Sequence, residues 1–142
     1  MAALTIPPRR RRVGLYFGTY PRAFVNQERA ANFLRALLGR LRGRVIVVWD
    51  GGPMHKGDAI RAVLRDFPRL SRERLPPYTP ELNPVEYLWN HLKYGVLSNF
   101  VPDDVLHLNG VLKQRLRRAR ASLPRLLSFF TQSGLPIRLD YG

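Results

Sequence analysis

The chain has 142 residues, 45% hydrophobic and 11% aromatic, enough apolar material for one core and too much for wholesale disorder. No cysteine is present, which excludes disulfides and thiolate metal sites, and no apolar run reaches membrane-spanning length. A net charge of +14, with a pI near 11.4, points to a polyanionic partner.

Ala2 to Ile6 reads as a strand stopped by Pro7-Pro8, and Val13 to Thr19 as its returning partner. Residues 1–20 are thus expected as a hairpin with Arg9, Arg10, Arg11 and Arg12 at its tip. Over 26–42, Ala30, Phe33, Leu34, Leu37, Leu38 and Leu41 recur at helical spacing before Gly43. Val45 to Trp49 is a continuous apolar run, expected as a strand buried on both faces, and Asp50 closes it at 45–50. Gly51-Gly52-Pro53 forces a turn. Asp58 to Phe67 is a short amphipathic helix, and Arg72 to Leu75 a short edge strand.

A helix over 83–97 has a clear start: Asn83 caps it, Pro84 suits its first turn, and Val85, Leu88, Trp89, Leu92 and Val96 form its apolar stripe. Glu86 and Lys93 follow a neighbouring polar stripe. The region 103–132 reads as basic helices. One α/β domain spanning 1–142 is expected.

Charge is unevenly distributed. Residues 1–49 hold ten Arg and one acid, residues 50–104 are nearly neutral, and residues 105–142 are again basic. Two basic flanks around a segment that keeps its carboxylates suit phosphate backbones, with Arg favouring bidentate contacts. Arg9 to Arg12, Lys93, Arg115, Arg117 and Arg118 are the candidate DNA contacts.

Asp50 at a strand end and Glu86 on a helix, with 35 residues between them, can converge on a divalent metal, an arrangement suited to phosphodiester chemistry. Each has a structural alternative. Asp50 fits a turn cap, and Glu86, three residues after Asn83, fits a capping box. His55 is placed to contact a phosphate or orient water, or is merely an exposed turn residue. No P-loop, zinc-spaced histidine pair or nucleophile elbow is present.

VVWDGGPMH followed by LPPYTPELNPVEYLW resembles the second and third catalytic blocks of DDE-superfamily transposases, in the mariner-like group of bacterial insertion sequences. The resemblance runs from about Val13 to Phe130. It implies a ribonuclease-H-like mixed sheet flanked by helices, and DNA nicking and strand transfer with two Mg²⁺ (or Mn²⁺) ions. By position Asp50 matches the second metal ligand and Glu86 the third, while His55 sits at the family's motif histidine. The first Asp, on the first central strand, and the helix-turn-helix region before it have no counterpart here. The chain is therefore expected to be a truncated catalytic domain, inactive alone and served by an upstream-encoded segment carrying that Asp. The alternative is a non-catalytic DNA-binding relic. A bacterial cytoplasmic, nucleoid-associated location follows from the resemblance, which also admits a homodimer. A small RNA-binding protein would explain the charge but not the two blocks.

Overall fold

The computed structural model describes residues 1–140. In chain order the elements are β1 (Ala2–Thr5), β2 (Gly14–Phe17), α1 (Gln27–Arg40), β3 (Val45–Trp49), α2 (Asp58–Asp66), β4 (Leu70–Arg74), α3 (Pro84–Asn90), α4 (Val105–Arg120) and α5 (Leu123–Gln132). The mixed α/β content contains two separate two-stranded sheets, β1–β2 antiparallel and β3–β4 parallel. The chain divides into two compact units. One is Met1 with Ala23–Pro80; the other is Ala2–Arg22 with the chain from Glu81 onward.

In the first unit α1 starts where the Asn26 side chain accepts a hydrogen bond from Arg29 N at 3.0 Å, satisfying one of the free amides of the first turn. Its Ala30, Ala31, Leu34, Leu37 and Leu38 are buried. They pack with Ile60 and Val63 of α2 and with Leu70 of β4, and Val45, Val47 and Trp49 of β3 border this core. Each fully buried Leu, Ile or Val contributes about 1.5–3 kcal/mol of transfer free energy. β3, α2 and β4 form a βαβ crossover whose register pairs Val45 with Leu70 and Trp49 with Arg74. The Arg69 guanidinium donates to the Gly43 carbonyl at 2.8 Å and to the Leu38 carbonyl, fixing the end of α1 against the start of β4. Arg35 and Asp66 join α1 to α2 at 2.9 Å, and that guanidinium holds the Asp66 carboxyl below its usual range.

The expectation that β3 is buried on both faces is corrected here. Ile46 is 66% exposed and Val48 56%, while the alternate residues line the core. With a side-chain period of two, α1 and α2 cover only the Val45, Val47 and Trp49 face. The strand expected at Arg72 to Leu75 runs instead from Leu70 to Arg74, because its one buried residue, Leu70, anchors the α2-facing end.

In the second unit the hairpin pairs Ala2 with Phe17 and Thr5 with Gly14. A Cβ on Gly14 would lie 2.5 Å from Thr5 Oγ1, so glycine permits this close approach. The core joins Val13 and Leu15 to Leu88, Leu92, Leu116, Leu126 and Phe129. The helix expected over 83–97 is α3 only as far as Asn90. From His91 to Val96 the chain is π-helical and closes with Leu97 N donating to Leu92 O at 2.8 Å. Asp104 caps α4 by accepting from His107 N at 2.7 Å, and Ser122 caps α5. Gly134, at φ 79°, ends α5 in the left-handed region. Among the described residues no helix is long and apolar enough to cross a membrane.

Candidate functional site

Parallel pairing places the carboxyl ends of β3 and β4 side by side, the rim at which open α/β sheets present ligand-binding groups. The ladder continues one step past the strands, Leu75 N donating to Trp49 O at 2.8 Å. Asp50 follows Trp49 at this rim. Its Oδ1 accepts from Gly52 N at 2.9 Å and lies 3.0 Å from His55 Nδ1. The same imidazole nitrogen lies 3.1 Å from the Asp50 carbonyl oxygen. Both oxygens are acceptors, so the imidazole meets them with a proton on Nδ1.

The His55 ring is held from the other side as well. It stacks on Trp49 with centroids 4.4 Å apart and planes within 6°. The short 3₁₀ turn Pro53–His55 delivers it there, with His55 N donating to Gly52 O at 3.0 Å. His55's side chain is 15% exposed and that of Asp50 59%. A mostly covered imidazole thus fixes one carboxylate oxygen, while Oδ2 makes no hydrogen bond or ion pair among the described residues.

The two glycines leave room for neighbouring side chains. A Cβ on Gly52 would sit 2.9 Å from Asp50 Oδ1, and one on Gly51 would sit 2.5 Å from Arg74 Nε. Arg74 therefore lies over the Asp50 turn, at a position that no local motif marks. Its signal is long-range, the register that pairs it with Trp49.

Glu86 belongs to the second unit, in the first turn of α3. Asn83 caps that helix by accepting from Val85 N at 3.1 Å, and Glu86 N donates to Asn83 O at 3.0 Å. The Glu86 carboxylate is half-buried and, among the described residues, makes no hydrogen bond to the cap. The approach is pinned by Thr79 Oγ1 donating to Pro76 O at 2.6 Å, and Tyr87 Oη donates to Glu81 O at 3.0 Å.

Arg9 to Arg12 are exposed between β1 and β2, as are Lys93 on the π-helical segment and Arg117 and Arg118 on α4. Arg115 is only partly exposed, and its Nε is buried without a hydrogen-bond partner. His91 is a further titratable group of this unit. Its Nδ1 is 3.1 Å from Arg125 Nη1, and burial together with that cation lowers its pKa.

Among the described residues no three His, Asp or Glu side chains gather closely enough to hold a metal ion. Asp50 offers one open carboxylate oxygen. That suits a single Mg²⁺-type ion keeping most of its waters, and falls short of a pair of ions.

Comparison with curated proteins and with solved structures returns no match. A family model described as DDE superfamily endonuclease matches residues 11–121, a stretch containing Asp50, His55, Arg74 and Glu86. The chain belongs to the DDE superfamily endonucleases.

Proposed function

We propose that this chain is part of one transposase catalytic domain of ribonuclease-H-like architecture, in the mariner-like group, acting on DNA phosphodiesters with Asp50 and Glu86 as metal ligands. Membership of an endonuclease family of the transposase type implies DNA as the substrate. The observation that carries the residue assignment is Asp50, held at a parallel-strand rim by Gly52 N and His55 with its second oxygen left open. An antiparallel hairpin followed by a helix and a parallel βαβ unit supplies pieces that flank the central strand of a ribonuclease-H-like sheet. Divalent ions, when bound, stabilise developing charge on the phosphoryl oxygens and generate a nucleophile from water at neutral pH.

The protein's own contributions are orientation and charge. His55 and Gly52 fix the Asp50 carboxylate, Arg74 supplies a cation for a phosphate beside it, and Arg9 to Arg12, Lys93, Arg117 and Arg118 track the backbone. Two metals need more carboxylate than Asp50 and Glu86 provide, so a third acid comes from a further polypeptide segment. The absence of any three-residue cluster among the described residues also favours a second reading, a DNA-binding protein that does not cut.

Plasmid nicking in Mg²⁺ or Mn²⁺ tests both. The full chain is assayed alone and with the polypeptide encoded immediately upstream, alongside Asp50→Asn and Glu86→Gln. Nicking that needs both polypeptides and is lost in either variant is expected. DNA binding without nicking under any condition establishes the second reading, and nicking indifferent to both substitutions overturns the residue assignment.

A further inference from the structure

The segment after α5 is tied to the arginine turn near the other end of the sequence. Leaving α5, the chain is redirected by Gly134 and by Leu135 N donating to Phe130 O at 2.9 Å. Ser133, 2% exposed, donates its hydroxyl to the same carbonyl at 2.8 Å. Beyond it Ile137 and Leu139 pack against the core of the second unit, while Arg138 and Asp140 are exposed. That alternation puts Arg138 and Asp140 on the solvent side of a strap lying over the core. The strap reaches the turn between β1 and β2, where Asp140 N donates to Arg10 O at 3.0 Å.

The turn needs such a hold. Arg10 sits at φ 45°, in the left-handed region that a residue with a Cβ enters at a cost, and strain of this kind persists only where surrounding contacts fix it. Two backbone bonds do so here. Arg10 N donates to Pro7 O at 2.9 Å from within the turn, and Asp140 N holds Arg10 O from the strap. Arg9, Arg10, Arg11 and Arg12 are all exposed, and adjacent guanidinium groups repel one another, so an unheld turn opens. Covering the core is the work of Ile137 and Leu139. The bond from Asp140 lies beyond them and acts on the turn itself.

We infer that the strap and the turn make one phosphate-binding surface, in which Arg138 joins Arg9 to Arg12 as a DNA contact and the Asp140 amide sets the shape of the turn. The inference rests on the reading of DNA as the substrate and involves none of the metal ligands. A duplex backbone is the fitting occupant, because guanidinium groups bind phosphate oxygens bidentately and such contacts fix register without reading bases. Cations held in place before binding lose less conformational entropy than those of an open loop. No local motif marks Arg138; it meets the other arginines only through the Asp140 bond, across nearly the whole chain.

Two measurements on the full chain test this: fluorescence anisotropy with a labelled duplex of arbitrary sequence over a salt series, and limited trypsin digestion with the cuts mapped by mass spectrometry. Arg138→Ala should weaken binding and make the salt slope shallower by about one, with the melting midpoint unchanged. Asp140→Pro removes the N–H that holds Arg10 O and leaves the chain path free to persist. It should speed cleavage at Arg9 to Arg12 and weaken DNA binding roughly two- to tenfold, the cost of ordering one or two long side chains afresh. Asp140→Ala keeps the N–H, so it should leave cleavage of the turn at the parent rate and bind DNA at least as tightly as the parent. An Arg138→Ala chain with the parent's affinity and slope overturns the shared surface, whatever proline does to the strap. An Asp140→Pro chain matching Asp140→Ala in both measurements overturns the hold on the turn. A parent chain that binds no duplex overturns the DNA reading and this surface together. Neither measurement needs metal or cutting, so failure here is distinguishable from failure of the nuclease assignment.

Discussion

Replacement of His55 separates the two forces that place Asp50. The ring stacks on Trp49 at 4.4 Å, and its Nδ1–H is shared between the Asp50 carboxylate at 3.0 Å and the Asp50 carbonyl at 3.1 Å. An offset or stacked ring pair contributes about 0.5–1.5 kcal/mol beyond area burial. A hydrogen bond contributes about 0.5–1.5 kcal/mol, and the low half applies because the Asp50 side chain is 59% exposed and water can replace the donor. With the burial of a side chain only 15% exposed added, His55→Ala should cost about 1.5–3 kcal/mol. His55→Phe keeps the stack and loses only the donor, so it should cost about 0.5–1 kcal/mol. Urea denaturation followed by fluorescence reads both, and a Trp89→Phe background leaves Trp49 as the sole indole, since the chain has 2 Trp. If Asp50 is a ligand, His55→Phe should also weaken Mn²⁺ binding by about tenfold, as loss of a ligand-orienting partner does. A His55→Ala chain within 0.5 kcal/mol of the parent, or a Phe variant as unstable as the Ala variant, would refute this division of roles.

Gly57 occupies φ 99° and ψ −176°, a region essentially restricted to glycine, and a Cβ there would come within 2.9 Å of Gln27 Cδ. Gly57→Ala should therefore destabilise by about 1–3 kcal/mol; a thermal midpoint unchanged within a degree or two would contradict it. His91 titrates below its ordinary value because of burial and Arg125, so the unfolded chain binds more protons in that window. Its contribution to stability is present above the unfolded pKa and is lost as pH falls below about 6.5, and His91→Gln should flatten the pH 7 to 5 difference in melting midpoint. DNA affinity, carried by exposed arginines, should fall by orders of magnitude between roughly 50 and 200 mM salt if about 6–10 phosphates are engaged. A salt-insensitive affinity measured by fluorescence anisotropy would oppose that.

Local chemistry made Asp50 legible. An apolar run ended by a carboxylate and two glycines states both the strand and its end, and the Arg74 guanidinium and the Asp50 carboxylate occupy the space beside those glycines. The start of α3 was legible for the same kind of reason: Asn83 and Pro84 act on their own backbone, and Asn83 does accept from Val85 N. What sequence could not supply was cover and register. Ile46 and Val48 are indistinguishable from Val45 and Val47 as letters, yet only one set meets α1 and α2. Arg74 joins the rim because β4 pairs with Trp49 in one particular register, a choice made by Leu70 some four residues earlier. In α4 the periodicity of Val105, Leu108 and Leu112 was present in the sequence, but only the structure shows where the core beneath it stops. The same limit governs the carboxylates. Strand ends and helix starts place Asp50 and Glu86 each within its own unit from nearby residues. Convergence of the two on one metal site would be a long-range property that local motifs do not specify. The residues that hold Asp50, namely Gly52, His55 and Trp49, all lie within five positions of it. Its geometry is therefore set within one short segment, so a test of metal binding at Asp50 can be read separately from a test of DNA cleavage.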